Sequence, residues 1–231
     1  MVKCYYDLHI HTGLSPCADK DMSPNNIVNM AVIKGLDIIA ITDHNSAKNV
    51  KPILKVATNT SLVVIPGIEV ETKEGIHLLC YFRSLEDLNR FTEIIDQNLP
   101  DVFIKEEIFG AQLIYDENDE VIDKVVKMLS NSTLLSMNEV IDLVHKLEGI
   151  VIPSHIDRYA NSIITVLGFI PPDLPIDGVE ISKMGNTTNN LNYKVICNSD
   201  AHYLGAINER INFVELENKS IDAFFKYFGD K

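Results

Sequence analysis

The chain of 231 residues has no tryptophan, only four cysteines, and 20 basic residues against 33 acidic ones. No two cysteines form a C-x-x-C pair, and a chain of this size needs no disulfides to fold, so we expect reduced thiols. No apolar run approaches the roughly 18 residues of a membrane-spanning helix, and the N-terminus lacks the pattern of a secretion signal. These absences predict a soluble, cytoplasmic protein with no membrane partner.

The shortage of basic residues gives a formal net charge of -13. Such a charge repels a phosphate backbone at long range, and the sequence has no stripe rich in lysine or arginine. We therefore expect nucleic acid to be an unlikely partner, although a local metal or basic site could still attract an anion. The sequence leaves the oligomeric state open.

Short apolar segments alternate with helical patterns along most of the chain. With 46% apolar residues the chain can bury one core, and we predict a single domain over residues 1–231. The alternation favours a parallel sheet or barrel. The stretch at about 84–148 is longer and more helical than one crossover needs, which predicts an insertion. The predicted strands lie near 2–8, 36–42, 61–70, 75–82, 149–154, 176–182, 194–199 and 210–215.

Asp7, His9 and His11 occupy alternate positions at and just after the end of the first predicted strand, so the three side chains share one face if the extended backbone continues. Similar polar residues recur at or near the other strands, namely His44, Glu69, His77, His155, Asp200 and His202. The C-terminal ends of parallel strands meet at one rim, so we expect six of the seven histidines to meet there. Clustered imidazoles and carboxylates are costly to bury without a compensating cation, and therefore predict a divalent metal centre.

Four other residues near these segments allow competing interpretations. We expect Asp43 to support or cap rather than bind an ion, and Asp7 to orient one of the first two histidines. Cys17 is either a metal ligand or an ordinary small apolar residue. His145 lies on a predicted helix and not at a strand end, which favours a surface or packing role.

These motifs, taken together and in order, resemble the polymerase and histidinol phosphatase (PHP) family of metal-dependent phosphoesterases. The resemblance implies an α/β fold, a distorted (β/α)7 TIM-like barrel with a mainly helical insertion. It also implies two or three divalent ions (Mn²⁺, Zn²⁺ or Fe²⁺) at the C-terminal rim. The segments that carry it are Asp7-Leu-His-Ile-His-Thr12, Asp19-Lys-Asp-Met-Ser-Pro24, Ile41-Thr-Asp-His44, Pro66-Gly-Ile-Glu69, His77, Pro153-Ser-His155 and Ser199-Asp-Ala-His202.

The resemblance further implies which residues bind each ion. The segment between His11 and Asp19 is a few residues longer than in many relatives, so Asp21 competes with Asp19 for its role. The implied ligands are His9, His11, Glu69 and Asp200 for the first ion, Glu69, His77 and His155 for the second, and Asp19, His44 and His202 for the third.

Two neighbouring ions can share a water molecule and lower its pKa, which makes a metal-bound hydroxide the expected nucleophile. The sequence has no Cys-x5-Arg loop, no Gly-x-Ser-x-Gly elbow and no P-loop, so we expect no covalent intermediate. Arg158 is the best candidate to bind a substrate phosphate, with an ion pair to Asp157 as the alternative. Lys183 is a weaker candidate.

We thus predict a metal-dependent phosphoesterase that hydrolyses a phosphate ester of a small metabolite or nucleotide. Three alternatives remain: an exonuclease acting on nucleic-acid ends, a metal-dependent amidohydrolase, and a non-catalytic module stabilised by metal. An amidohydrolase barrel also begins with His-x-His, but Glu69 and the Asp200-Ala-His202 motif point away from it.

Overall fold

The computed structural model describes residues 1–183 and 192–229. The strands are β1 (Val2–Ile10), β2 (Ile38–Ile41), β3 (Val63–Glu71), β4 (His77–Tyr81), β5 (Leu113–Tyr115), β6 (Val121–Lys124), β7 (Ile150–Pro153), β8 (Val179–Ile181), β9 (Val195–Cys197) and β10 (Phe213–Leu216). The helices are α1 (Pro24–Ile33), α2 (Val50–Ala57), α3 (Leu85–Gln97), α4 (Glu106–Phe109), α5 (Met137–Lys146), α6 (Ile163–Leu167) and α7 (Ile221–Gly229). Every predicted strand region overlaps an observed strand.

Six strands form one curled sheet in the order β10-β1-β2-β3-β4-β7. β1, β2 and β3 are parallel, whereas β4 is antiparallel to both β3 and β7. The chain reverses after β3 in a tight turn in which Gly75 adopts a positive φ of 79°, which glycine tolerates without steric cost. His77 therefore reaches the same rim from the start of the antiparallel strand β4, and not from the C-terminal end of a parallel strand.

Backbone hydrogen bonds link the curled sheet to the parallel pair β8–β9. The amide of Asp177 donates to Val151 O (3.0 Å), and the amide of Ile156 donates to Glu180 O (2.9 Å). Beyond β9, Ala201 exchanges hydrogen bonds with the end of β1 through His9 O and the His11 amide. The chain thus has an α/β fold with a curled sheet of the TIM-like kind, while the count of seven β/α units stays a prediction.

An apolar cluster packs α7 against the sheet. Phe224, Phe225 and Phe228 are buried there with Tyr81, and each buried aromatic ring of this size contributes roughly 1.5–3 kcal/mol. The helix begins after Ser220, whose hydroxyl accepts a hydrogen bond from the amide of Ala223 (3.1 Å). No helix in the described ranges has the length and apolar content needed to cross a membrane.

The segment predicted as an insertion contains α3, α4, the hairpin β5–β6 and α5. The hairpin turns at residues 116–120, and Ser136 and Glu139 form a capping box at the start of α5. Tyr115 on the hairpin donates from its hydroxyl to Lys20 O (2.7 Å), so the hairpin supports the loop that follows β1. The single-domain boundary and the limits of the insertion stay predictions.

Candidate metal centre

Six of the seven histidines meet at one rim of the sheet together with Glu69 and Asp200. Three sets of residues there have ligand atoms within 4.8 Å of one another: His9, His11 and Glu69; His44, Glu69 and His77; and His11, His44 and His202. The carboxylate of Glu69 is 1% exposed, and charges of this kind are rarely buried without a partner. The structure therefore brings most of the predicted ligand residues together.

Glu69 lies at the middle of this cluster, and its two oxygens face different histidines. Oε1 lies 3.3 Å from His9 Nε2, 3.1 Å from His77 Nδ1 and 3.6 Å from His155 Nε2. Oε2 lies 3.1 Å from His44 Nδ1 and 3.5 Å from His11 Nε2. A carboxylate between several imidazoles is suited to bridging two ions.

The contacts of His9 and His11 orient both rings toward a common point. His9 Nδ1 donates to the carboxylate of Glu180 (2.9 Å), so its Nε2 carries the lone pair in the neutral ring. Ser15 Oγ donates its proton to Asp43 (2.7 Å) and therefore accepts from His11 Nδ1 (2.9 Å). With both rings neutral, their Nε2 atoms, which lie 3.0 Å apart, would face each other with lone pairs, an arrangement that a cation between them would stabilise.

The spacing of the first set of donor atoms fits a metal ion. Asp200 Oδ1 lies 3.2 Å from His9 Nε2 and 3.1 Å from His11 Nε2, and the contacts to Glu69 are 3.3 and 3.5 Å. A tetrahedral zinc site with metal–nitrogen bonds of about 2.1 Å has ligand–ligand distances of about 3.4 Å. The ligands implied for the second ion add a further signal, because the buried Nδ1 of His155 has no hydrogen-bond partner among the described residues.

The cluster perturbs the pKa values of its members. Burial lowers the pKa of His77, but the charge of Glu69 and hydrogen bonds to Glu69 and Glu71 outweigh it and raise that pKa to about 9. Burial also opposes protonation of His44, yet its hydrogen bonds to Cys17 and Glu69 raise its pKa to about 10. The neighbouring histidines hold the pKa of Glu69 well below its ordinary value despite its burial. Without metal, the cluster therefore holds extra protons at neutral pH.

We expect metal binding to expel these protons. At about pH 7, below the raised pKa values of His77 and His44, Zn²⁺ has to displace a proton from each ring. Proton release on metal binding should therefore be large near pH 7. The apparent affinity for Zn²⁺ should keep rising up to about pH 9–10 instead of levelling off just above the ordinary histidine pKa of about 6.5. Calorimetric titration of the chelator-treated protein in buffers of different ionisation enthalpy measures the release. His77→Gln should release fewer protons, and an unchanged count would contradict the assignment.

Several buried polar residues hold the ligands in place. Asp43 accepts from Thr12 N (2.7 Å), Thr12 Oγ1 (2.8 Å) and Ser15 Oγ, as expected for a supporting residue. The prediction that Asp7 orients a histidine is wrong, because its carboxylate accepts from Ser199 Oγ (2.6 Å) and Asn208 N (2.8 Å). It thereby fixes the loop that delivers Asp200.

Glu180 performs the role that was assigned to Asp7, and the sequence analysis missed it. Besides His9 Nδ1, it accepts from the amide of His155 (2.7 Å) and from Asn198 Nδ2 (2.7 Å). It thus connects ligands of the first and second predicted ions. Its position in the buried strand β8 was the available signal, since a buried carboxylate on a strand next to predicted ligands needs donors.

Arg158 reaches the edge of the cluster. Its Nη1 contacts Asp200 Oδ2, and its Nε donates to Ser182 Oγ (2.7 Å). Within the described part of the chain the alternative ion pair with Asp157 does not form, and that carboxylate accepts from the amide of Ser182 (2.8 Å). The guanidinium, whose side chain is 40% exposed, therefore lies between the cluster and solvent, whereas Lys183 is simply exposed.

Asp19 is the predicted ligand that the structure does not bring into the cluster. It is exposed, and in the described ranges its carboxylate belongs to none of the three candidate sets; its metal role stays a prediction. His145 lies apart from the cluster and contacts Asp177 (2.9 Å), in line with the expected packing role. Cys17, by contrast, forms side-chain hydrogen bonds with His44 and His202.

Comparisons with known proteins agree with this site. The family profile described as PHP domain matches residues 7–170. The 5′-3′ exoribonuclease Rnm of Escherichia coli is 30% identical over 125 residues, which cover 46% of this chain and 42% of that protein. The chain spans less than half of the length of the curated relatives it matches.

Two solved structures have similar folds. The lesion-specific endonuclease PfuEndoQ from Pyrococcus furiosus has a TM-score of 0.73 at 20% identity, covering 100% of this chain and 57% of that one. A protein from Bifidobacterium adolescentis described as a metal-dependent phosphoesterase has a TM-score of 0.59 at 17% identity, covering 91% of this chain and 92% of that one.

These findings correct the expectation about nucleic acid. Endonuclease Q has also been solved with duplex DNA at its active site, with a TM-score of 0.72, and the similar curated proteins include exoribonucleases. The prediction that nucleic acid is an unlikely partner is therefore wrong. Net charge is a sum over the whole chain, whereas an anionic substrate responds to the local field, which bound cations and a nearby arginine can make positive.

Proposed function

This chain belongs to the PHP domain family of metal-dependent hydrolases, and from that premise we propose that it cleaves phosphodiester bonds at the ends of nucleic-acid strands. The observation that carries the proposal is the carboxylate of Glu69, whose two oxygens face separate histidines within 3.6 Å. Such a bridging carboxylate suits a centre with more than one ion, which is the usual arrangement for displacement at phosphorus.

The ligand sets fit divalent ions of the Mn²⁺, Zn²⁺ or Fe²⁺ class, since imidazole and carboxylate suit them all. When bound, such ions supply an activated water and neutralise charge on the reacting phosphate. We propose His9, His11, Glu69 and Asp200 for the first ion, and Glu69, His77 and His155 for the second. We further propose that β8 and β9 complete a (β/α)7 barrel around this rim.

The side chains around the ligands would hold and orient the reactants. Glu180 keeps the proton of His9 on Nδ1, and Ser15 with Asp43 keeps that of His11 on Nδ1, so both Nε2 atoms stay available to cations. With Asp200 as a metal ligand, the guanidinium of Arg158 would be free to pair with a phosphate oxygen. Its planar fork can contact two such oxygens.

Two exposed aromatic residues support a nucleic-acid substrate. Tyr159 directly follows Arg158 and is 96% exposed, and Tyr203 directly follows His202 and is 57% exposed. Large exposed rings beside a phosphate-binding site suit the stacking of unpaired bases, which contributes about 1–3 kcal/mol per base. Similarity to exoribonucleases and to an endonuclease fold adds to this support.

A second candidate is hydrolysis of a small phosphorylated metabolite or nucleotide. The positive charge described at the rim favours this candidate, because it comes from one guanidinium, that of Arg158, which contacts Asp200. A single guanidinium group matches one terminal phosphate better than a run of backbone phosphates. The two candidates share the centre and differ in the surroundings of the phosphate.

A substrate panel distinguishes the candidates. Protein loaded with Mn²⁺ is incubated with 5′-labelled and 3′-labelled single-stranded oligonucleotides, p-nitrophenyl phosphate, its bis-ester and the corresponding amide. We expect stepwise shortening of the oligonucleotides and hydrolysis of the bis-ester. Release of phosphate from monoesters alone would favour the second candidate, and hydrolysis of the amide alone would contradict both. No hydrolysis by protein with a full metal content would favour a non-catalytic module.

Replacing Arg158 by alanine should slow turnover without removing metal ions from the centre. A hydrogen bond to a charged group contributes about 2 kcal/mol, so we expect kcat/KM to fall roughly thirtyfold at unchanged metal content. Arg158→Lys should recover part of this loss, because lysine keeps the charge and loses the fork. The control is Arg83→Ala, which removes an exposed arginine paired with Asp222. Wild-type kinetics in Arg158→Ala would exclude it from substrate binding.

A further inference from the structure

We propose that Cys17 is a ligand of the third ion, in the place that the sequence resemblance gives to Asp19. This inference rests on the proposed metal centre and adds a sulfur ligand to it. The third candidate set consists of His11, His44 and His202, with ligand nitrogens within 4.8 Å of one another. The side chain of Cys17 hydrogen-bonds to both His44 and His202. Cys17 therefore lies next to two of the three histidines of this set.

The other contacts of these two histidines leave a nitrogen for an ion on each ring. His44 Nδ1 lies 3.1 Å from Glu69 Oε2, and His202 Nδ1 donates to the backbone oxygen of Asp200 (2.8 Å). Nε2 of each ring is therefore the nitrogen available to a cation. A thiolate beside these two atoms would complete a set of two nitrogens and one sulfur, and such mixed sets are common for zinc.

The loop that carries Cys17 is held firmly against the centre. The amide of Ala18 donates to Ser15 O (2.9 Å), which closes a turn around Cys17. The amide of Asp19 donates to His202 O (2.8 Å), so the loop and the segment that carries the histidine are joined two residues after the cysteine. Tyr115 ties the far end of the loop through Lys20 O.

Asp19 itself faces a different part of the surface. It lines a surface pocket with Pro16, Lys20, Glu106 and Lys124. Its carboxylate makes no hydrogen bond or ion pair with another residue in the ranges that the structure describes. The extra residues between His11 and Asp19 thus place a cysteine where a shorter loop would place an aspartate.

A sulfur ligand would distinguish the third site from the first two. A thiolate is the form that binds metal, and it selects softer ions. A third site containing Cys17 should therefore prefer Zn²⁺ to Mn²⁺, whereas the oxygen-containing sets of the first two ions discriminate less.

Cobalt substitution tests the sulfur ligand directly, without using activity. Full-length protein is stripped with chelator, loaded with Co²⁺, and examined for the near-ultraviolet sulfur-to-cobalt charge-transfer band. We expect the band in wild type and in Asp19→Asn, and its loss in Cys17→Ser. Zinc content, measured by mass spectrometry, should fall by one ion per chain in Cys17→Ser and stay at the wild-type value in Asp19→Asn. Persistence of the band in Cys17→Ser, or loss of an ion in Asp19→Asn alone, would overturn the proposal.

Alkylation provides a second measurement on the unaltered chain. Cys4, Cys80 and Cys197 are buried and Cys17 is exposed, so iodoacetamide should modify Cys17 first, as peptide mapping can verify. Bound Zn²⁺ should slow this modification by at least about tenfold if sulfur ligates the ion. Equal rates with and without Zn²⁺ would contradict ligation. If Zn²⁺ fails to bind the protein at all, the metal centre of the proposed function fails as well, which separates the two outcomes.

Discussion

Substituting glutamine for Glu69 should abolish hydrolysis while the protein remains folded. Glutamine keeps the volume of the buried side chain and removes the negative charge that faces five histidines. A neutral amide bridges two cations poorly, so both the first and the second ion should bind weakly. Metal ions provide several kcal/mol of transition-state stabilisation, and about 1.4 kcal/mol corresponds to a factor of ten. The expected loss of kcat/KM is therefore at least about a thousandfold.

The matched control is Glu215→Gln, the same chemical change at an exposed position of β10. It should keep wild-type turnover and metal content. Circular dichroism and thermal melting of metal-free Glu69→Gln should show a cooperative fold, which separates loss of metal from loss of structure. Wild-type turnover in Glu69→Gln would show that Glu69 does not bridge two ions, and it would contradict the proposed function, which depends on that bridge.

Much of this centre could be predicted because side-chain direction in a strand has a fixed period of two. The alternation of His9 and His11 at the C-terminal end of β1 predicts that both face the same side, and their Nε2 atoms lie 3.0 Å apart. Likewise, parallel strands share a rim, so Glu69 and Asp200 could be placed near these histidines despite their distance in sequence. These predictions depend only on local geometry and on the repeated alternation of strands and helices.

The remaining features depend on contacts that a sequence pattern does not encode. Glu180 lies on a strand between apolar residues, and only the packing of β8 against β7 and β9 shows that it orients His9. The direction of β4 depends on the turn at Gly75. The position of Cys17 depends on the path of a loop, and loops lack the periodicity that fixes strands and helices. The error about nucleic acid arose similarly, because a charge total contains no spatial information.

The substitution His9→Ala should also abolish hydrolysis, but it should remove fewer metal ions per chain than Glu69→Gln does. His9 is completely buried, and its Nε2 faces Glu69 and Asp200 at 3.3 and 3.2 Å. Its removal takes a ligand from the first ion alone, so we expect one ion fewer per chain, compared with two in Glu69→Gln. Turnover should fall by at least about a thousandfold for the same reason as before. Removing a buried ring should also lower the free energy of unfolding by about 2–5 kcal/mol.

Chemical rescue separates the ligand role of His9 from its packing role. Free imidazole can enter the cavity left by His9→Ala, where Glu180 keeps donors from Asn198 and the His155 amide and can receive the new ring. We expect imidazole to restore part of the turnover and the missing ion, whereas a loss caused by misfolding would not respond. His145→Ala is the control, because that histidine lies on α5 and contacts Asp177. Equal ion losses in His9→Ala and Glu69→Gln would mean that Glu69 is not shared between two ions.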